Sequence, residues 1–314
     1  MESLVIRAPE VTEFHRLRQR AEREANSGQL QKARQTCELR VHWANLNGDD
    51  GLRDQAFCGL AAVHIALGEG EFVAGPLRRV LKESSDQIAR LLAAHAFSQF
   101  YLRLGQPAKS IFYSRCALHH ARSSRDPRHL VRCLNALAAG QGTYSQFGEA
   151  EMHLREALEI CRRGALAATE PLTDWLQYVV KSNLGSSLVL QARPREGLAL
   201  LFDARRHLVR QTVQSDEMSR LLNLAIAFAY LHADKPRDAY RHASEALVES
   251  QEPPSPEIRK RALFVLGEAC KLSGVNHQAL HWYGCLQRDF YADMPDVTEC
   301  LLRSETRELV NPWI

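Results

Sequence analysis

The sequence predicts an all-α protein: a solenoid of about seven helical hairpins closed by a C-terminal capping helix. Three observations carry this reading. Short turn phrases recur between helix-like runs: Ser27-Gly28-Gln29, Gly68-Glu69-Gly70, Gly105-Gln106-Pro107, Gln146-Phe147-Gly148, Ala192-Arg193-Pro194, Asp234-Lys235-Pro236 and Ser273-Gly274. A small residue follows each phrase; taking Ala33, Gly75, Ser110, Ala150, Gly197, Ala239 and Ala279 as equivalent gives intervals of 42, 35, 40, 47, 42 and 40 residues. Self-similarity at such a period marks stacked supersecondary units. Finally, in Leu102–Ala121 the residues Ser110, Ser114, Ala117 and Ala121 share one helical face, where small side chains let a neighbouring helix come close.

The elements follow in order. Residues 1–8 read as a loose extension. Pro9, at a helix start and followed by Glu10 and Glu13, opens the first helix, which carries Phe14, Leu17, Ala21 and Ala25. Leu30–Leu46 is its partner. The next pairs are Leu52–Leu67 with Phe72–Leu81, and Ile88–Leu104 with Ala108–Ala121, the latter pair capped by Ser84-Ser85-Asp86. Leu130–Tyr144 pairs with Glu149–Arg162, Leu172–Leu190 with Arg195–Arg210, and Met218–His232 with Pro236–Glu249. The prolines at 253, 254 and 256 break the chain without ending the pattern, which resumes at Arg261–Ser273 and His277–Phe290. Residues 9–290 are therefore expected to form the solenoid. Residues 291–314 are expected to supply a capping helix, Asp296–Val310, and an apolar tail, Asn311-Pro312-Trp313-Ile314.

Within these hairpins Asn183-Leu184-Gly185 followed by Gly197, Leu201 and Ala204, and Gly267 and Gly274 followed by Ala279 and Tyr283, resemble the tetratricopeptide repeat (TPR). Gly70-Glu71-Phe72 resembles it too, although Gly75 and Pro76 depart from the pattern. The resemblance covers roughly residues 13–290 and implies a right-handed α-solenoid. Its intervals exceed the usual TPR length of about 34 residues, which implies longer helices or loops. It also implies a non-catalytic adaptor that holds a peptide or helical segment of another protein in a groove lined by the first helix of each pair.

Composition narrows the classes of function. The 314 residues are 45% hydrophobic and 25% charged, an ordinary balance for a chain that buries a core. A net charge of +3 is too small to argue for nucleic acid as a partner, although Arg162-Arg163 and Arg205-Arg206-His207 with Arg210 make basic helix ends. The eight cysteines contain no C-x-x-C and mostly occupy apolar helical positions, as expected of free thiols in a reducing compartment. No signal peptide and no apolar run of about 18 residues is found, so a cytoplasmic protein without a membrane span is expected. No phosphate loop, nucleophile elbow or paired-carboxylate motif appears. Neither catalysis nor a cofactor is expected.

The candidate groove residues come from the first helices. Asn135, Asn183 and Asn223 lie near the middle of three of them, each preceded by a basic residue: Arg132, Lys181 and Arg220. An Asn amide donates and accepts at once, which suits a peptide backbone, and a neighbouring cation suits a carboxylate. The repeat register adds His64, His95, Gln99 and Arg103, with Arg18 and Glu22 in the first repeat. His277 and His281, with Cys285 continuing the line, have a spacing that can share a metal. No acidic residue lies between them, and no metal is expected. Two other readings remain open: a sensor module that closes around a signal peptide or small molecule, and an α-solenoid on nucleic acid.

Overall fold

A computed structural model describes residues 8–124, 126–163, 171–209, 216–248 and 253–305, with the side chains of 8–11 and 171–174 left aside. Fifteen α-helices and no strand occur among the described residues. They are α1 (Ala8–Asn26), α2 (Leu30–Asn47), α3 (Asp50–Ala66), α4 (Gly70–Glu83), α5 (Gln87–Arg103), α6 (Pro107–Arg122), α7 (Pro127–Thr143) and α8 (Phe147–Arg162). There follow α9 (Pro171–Leu190), α10 (Pro194–Val209), α11 (Asp216–His232), α12 (Pro236–Leu247), α13 (Pro256–Leu272), α14 (Asn276–Phe290) and α15 (Val297–Arg303). The fold is an all-α TPR-like solenoid of seven hairpins and a terminal helix. The chain divides into two compact units, Met1–Gly140 and Gln141–Ile314.

All seven hairpins turn in the same way. The amide two residues past each first helix's cap reaches back to a carbonyl five residues earlier: Gln29 to Glu24, Glu69 to His64, Gln106 to Tyr101, Gln146 to Gln141, Arg193 to Leu188, Lys235 to Tyr230 and Val275 to Cys270, all at 2.8–2.9 Å. This is the Schellman arrangement, which needs one residue in the left-handed region just before the reaching amide. Gly28, Gly68, Gly105 and Gly274 fill that position at φ of 65–85°. In the other three turns it is Ser145, Ala192 and Asp234, at φ 61°, 58° and 53°. The left-handed residue of the fourth turn is thus Ser145, while Gly148 lies inside α8.

The fourth residue of every second helix packs against its first helix: Ala33, Ser110, Ala150, Gly197, Ala239 and Ala279 are all buried there. The second hairpin corrects the register. Gly75 is exposed, and the equivalent buried position is Val73, because α4 begins at Gly70 with Phe72 turned outward at 83% exposure. With Val73 in place the first two intervals become 40 and 37 residues, which removes the apparent short repeat.

In the N-terminal unit α3 packs on both α4 and α5, so neighbouring first helices touch directly as well as through their partners. Cys58, Ala61, Ile65, Leu77, Ala89, Ala93 and Phe97 form a core there. The small-residue face of α6 behaves as its spacing implies: Ser110, Ser114, Ala117 and Ala121 are buried, and Ser114 and Ser98 share a hydrogen bond of 2.7 Å. In the C-terminal unit the same layering joins α9 to α11 and α11 to α13. Tyr178, Val189, Leu201, Ala204, Leu222 and Phe228 form one core there, and Leu263, Ala279, Tyr283 and Leu301 another. Gly267 lies under the Tyr283 ring, where a Cβ would come within 2.3 Å of Cε1.

The terminal helix is shorter than its sequence pattern suggests. It ends at Arg303, and Ser304 is extended. The Lys271 ammonium donates to the carbonyls of Leu301 (2.8 Å) and Ser304 (2.9 Å), so the last turn is completed by a side chain of α13. The tail 306–314, with Trp313 and Ile314, lies outside the described residues. No described helix is long and apolar enough to cross a membrane.

Candidate functional site

In the N-terminal unit, first helices far apart in sequence converge on one polar cluster. The Arg132 guanidinium on α7 donates to the Glu22 carboxylate on α1 at 3.1 Å, bridging 110 residues. Burial works to raise the pKa of Glu22, but Arg132, Arg18 and Arg128 outweigh it and hold the carboxyl below its ordinary value. His95 on α5 sits beside Arg132 and His129. Burial, reinforced by those two neighbours, pushes its pKa down to about 4, and its Nδ1 is buried without a hydrogen-bond partner. His129 is likewise lowered, first by burial, although Asp126 pulls the other way, and its Nδ1 meets Ser124 Oγ at 3.0 Å. Arg128 is forked onto Asp126 at 2.8–3.0 Å, which holds the Asp126 carboxyl below its usual range despite partial burial.

The remaining candidates of this unit grade from half-buried to exposed. Asn135 lies one turn beyond Arg132 and is half-buried. Gln99, a turn beyond His95, is half-buried, and Arg103, a further turn on, is exposed. His64 is drawn into its own hairpin turn, with Nδ1 at 2.6 Å from Glu69. Chemically, this cluster offers guanidinium donors, amides and two neutral imidazoles. Its two carboxylates, Glu22 and Asp126, already serve arginines.

The C-terminal candidates take mostly structural places. Asn183 has no exposed surface and lies inside the hairpin packing, so it is not a surface contact. Lys181, two residues earlier, is also buried. Its ammonium meets Asp203 at 2.5 Å and donates to His207 Nε2 at 2.7 Å, tying α9 to α10. Lys181 and Arg206 hold the Asp203 carboxyl below its usual range, although partial burial opposes them. Asn223 is half-buried and accepts a hydrogen bond from Arg205, whose guanidinium also lies 5.6 Å from the Phe202 ring centre. Arg220 is buried and donates to the Val248 carbonyl at 3.2 Å, closing the end of α12. Beside this group, Tyr230 and His242 stack with centroids 5.6 Å apart and planes 8° from parallel.

His129, Arg128 and Asp203 carry no sequence signal, and Arg205 and His207 read in the sequence only as part of a basic helix end; their partners are set by interhelical packing between segments whose register only the fold sets. Arg40 is different: it lies on the stripe Ala33, Cys37, Arg40, Ala44, so a charged residue on an apolar helical face is visible in the sequence. Cys285 Sγ lies 3.9 Å from His281 Nε2, and among the described residues no group of three or more potential metal ligands occurs. All eight cysteines are free thiols, five of them buried.

The chain matches no family model and no curated protein. Its fold is similar to that of several solved structures. The apo form of RapI aligns with a TM-score of 0.57 at 12% identity, over 95% of this chain and 85% of that one. A tetratricopeptide repeat protein from Parabacteroides merdae aligns at 0.53 and 11% identity, over 92% and 97%. BtubC from P. vanneervenii aligns at 0.52 and 15% identity, over 79% and 93%. At these identities the likeness establishes the TPR-like fold alone.

Proposed function

We propose that this chain is a non-catalytic interaction scaffold that holds a peptide or helical segment of a partner protein against the first helices of its hairpins. The observation that carries the reading is the Arg132–Glu22 bridge, around which α1, α5 and α7 gather a half-buried polar surface from distant parts of the sequence. Exposed Arg103 and half-buried Gln99 and Asn135 extend that surface. Amides satisfy a peptide backbone and guanidinium groups fork onto carboxylates, so the segment best suited is extended and acidic. In the C-terminal unit Asn223, already oriented by Arg205, is the corresponding half-buried contact. The TPR-like fold supports this reading, because within each unit neighbouring first helices pack side by side and can share one ligand.

The test is capture of partners from the native host by the immobilised full chain, at low and moderate salt, followed by the same capture with R103Q/N135A. A protein retained at moderate salt by the parent chain and lost by the variant supports the reading. Retention unchanged by the variant overturns it. So does recovery of nucleic acid alone, released as salt rises.

A further inference from the structure

Arg40 is a buried cation without a paired carboxylate: Glu22 favours its charge from a distance but is bridged to Arg132. The residue is 3% exposed, and its guanidinium carbon lies 4.0 Å from the centre of the Phe14 ring. A ring face offsets part of the charge on one side of the guanidinium plane, but the N–H donors at its edge still need acceptors. Arg40 Nε has none, and the same is true of the buried Nε of Arg18. Among the described residues no carboxylate pairs with either side chain. Protein interiors seldom leave a cation in this condition, because stripping its water is costly unless an anion replaces it.

The neighbouring groups do not supply that anion. Glu22 is bound to Arg132, and Glu24 to Arg20 at 2.8 Å and Thr36 at 2.6 Å. The thiols of Cys37 and Cys58 are pushed up by burial, that of Cys37 to about 11, so both are neutral at physiological pH. Arg18 adds a like charge, which with burial brings Arg40 down to about 10 and leaves it still a cation. On α3 the residue facing Arg40 is Gly59, where a Cβ would stand 3.1 Å from Nη1. The three helices thus bring two unpaired guanidinium groups to one corner and leave no side chain at Gly59 to crowd Arg40.

We propose that Arg40 and Arg18 form a two-arginine site for an oxyanion, a phosphoryl or carboxylate group, held at the corner where α1, α2 and α3 meet. Arg40 is the fixed element, locked between Phe14 and Gly59. Half-buried Arg18 is the group through which the anion enters. Arg18 also acts on Glu22, so the site borders the Arg132–Glu22 cluster, but its anion is a different ligand and the site does not depend on the partner-binding reading.

The experiment is thermal unfolding of the full chain in inorganic phosphate, acetate and chloride at matched ionic strength. A ligand at ten times its Kd should raise Tm by about 2 °C in a chain of 314 residues. Phosphate is expected to give a saturable rise over chloride that vanishes in R40M and shrinks in R18Q. A comparable acetate rise marks a site open to carboxylates, and a phosphate rise alone marks a phosphoryl site. An equal Tm in all three salts, or a phosphate increment that survives R40M, overturns the proposal. Should R40M fail to fold, arginine Nε–Hε resonances of the parent chain, followed through the phosphate titration and compared with R18Q, decide instead. Saturating shifts that weaken in R18Q support the site, and linear shifts, absent shifts or shifts unchanged in R18Q overturn it.

Discussion

The close backbone approach of α9 and α10 makes a prediction whose sign runs against helix propensity. Gly185 and Gly197 face each other there. A Cβ at 197 would stand 2.6 Å from both the Gly185 carbonyl oxygen and Val189 Cγ2, and a Cβ at 185 would stand 2.9 Å from the Gly197 oxygen. In an open helix, Gly→Ala gains about 1 kcal/mol of propensity. Here the added methyl needs roughly 0.5 Å or more of separation from a carbonyl that cannot rotate away. Overpacking of that kind costs about 1–3 kcal/mol, and prying the two helices apart also loosens Leu201 and Val189. Gly197→Ala is therefore expected to destabilise by about 2 kcal/mol net. With a urea m-value of about 2–3 kcal/mol/M, its midpoint should fall by close to 1 M. Gly284→Ala is the control: it lies inside α14 with nothing within 4 Å of the added Cβ, and should gain up to about 1 kcal/mol. Matched urea titrations by circular dichroism read both. A Gly197→Ala chain as stable as the parent would show that the two backbones are not in contact, and would refute the packing argument.

Two further outcomes follow from local geometry. Ala192 holds the left-handed place in the fifth turn, which costs a non-glycine residue about 1–2 kcal/mol, while glycine gives back part of that in unfolded-state entropy. Ala192→Gly should therefore stabilise by about 0.5–1 kcal/mol and Gly105→Ala destabilise by a similar amount; thermal melts that move the other way would sink the turn assignment. His95, with its pKa lowered from 6.5 to about 4, is uncharged in the folded chain while the unfolded chain takes up a proton below 6.5. Its contribution is thus intact above pH 6.5 and is lost as pH falls towards 4, at most about 3 kcal/mol. A His95→Gln variant should flatten the stability profile across that window, and an unchanged slope would assign the acid sensitivity elsewhere.

Much of this molecule is legible in its residues. The left-handed glycines at 28, 68, 105 and 274, the proline at the start of α6, and the buried small residues after each turn all act through local rules, so helix order and the turns follow from reading along the chain. The exceptions lie where a local pattern is ambiguous. Gly75 resembles the small repeat residue, yet Val73 holds that place, since a glycine on a helix has no signal for which face it occupies. The terminal helix stops at Arg303 because Lys271, on another helix, satisfies its last carbonyls.

The candidate site divides along the same line. Asn135, Asn183 and Asn223 look alike in sequence, each preceded by a basic residue, but Asn183 is enclosed while Asn135 and Asn223 keep some surface. Lys181 likewise turns inward because Asp203 and His207, placed by the α9–α10 contact, give it partners. Periodicity and turn chemistry are properties of neighbours within a few residues, so the sequence by itself determined an all-α chain of seven hairpins with matching turns. Which polar side chains end paired, and which, like Arg40, end buried without an anion, depends on helices separated by tens of residues. That was decided only when the hairpins stacked.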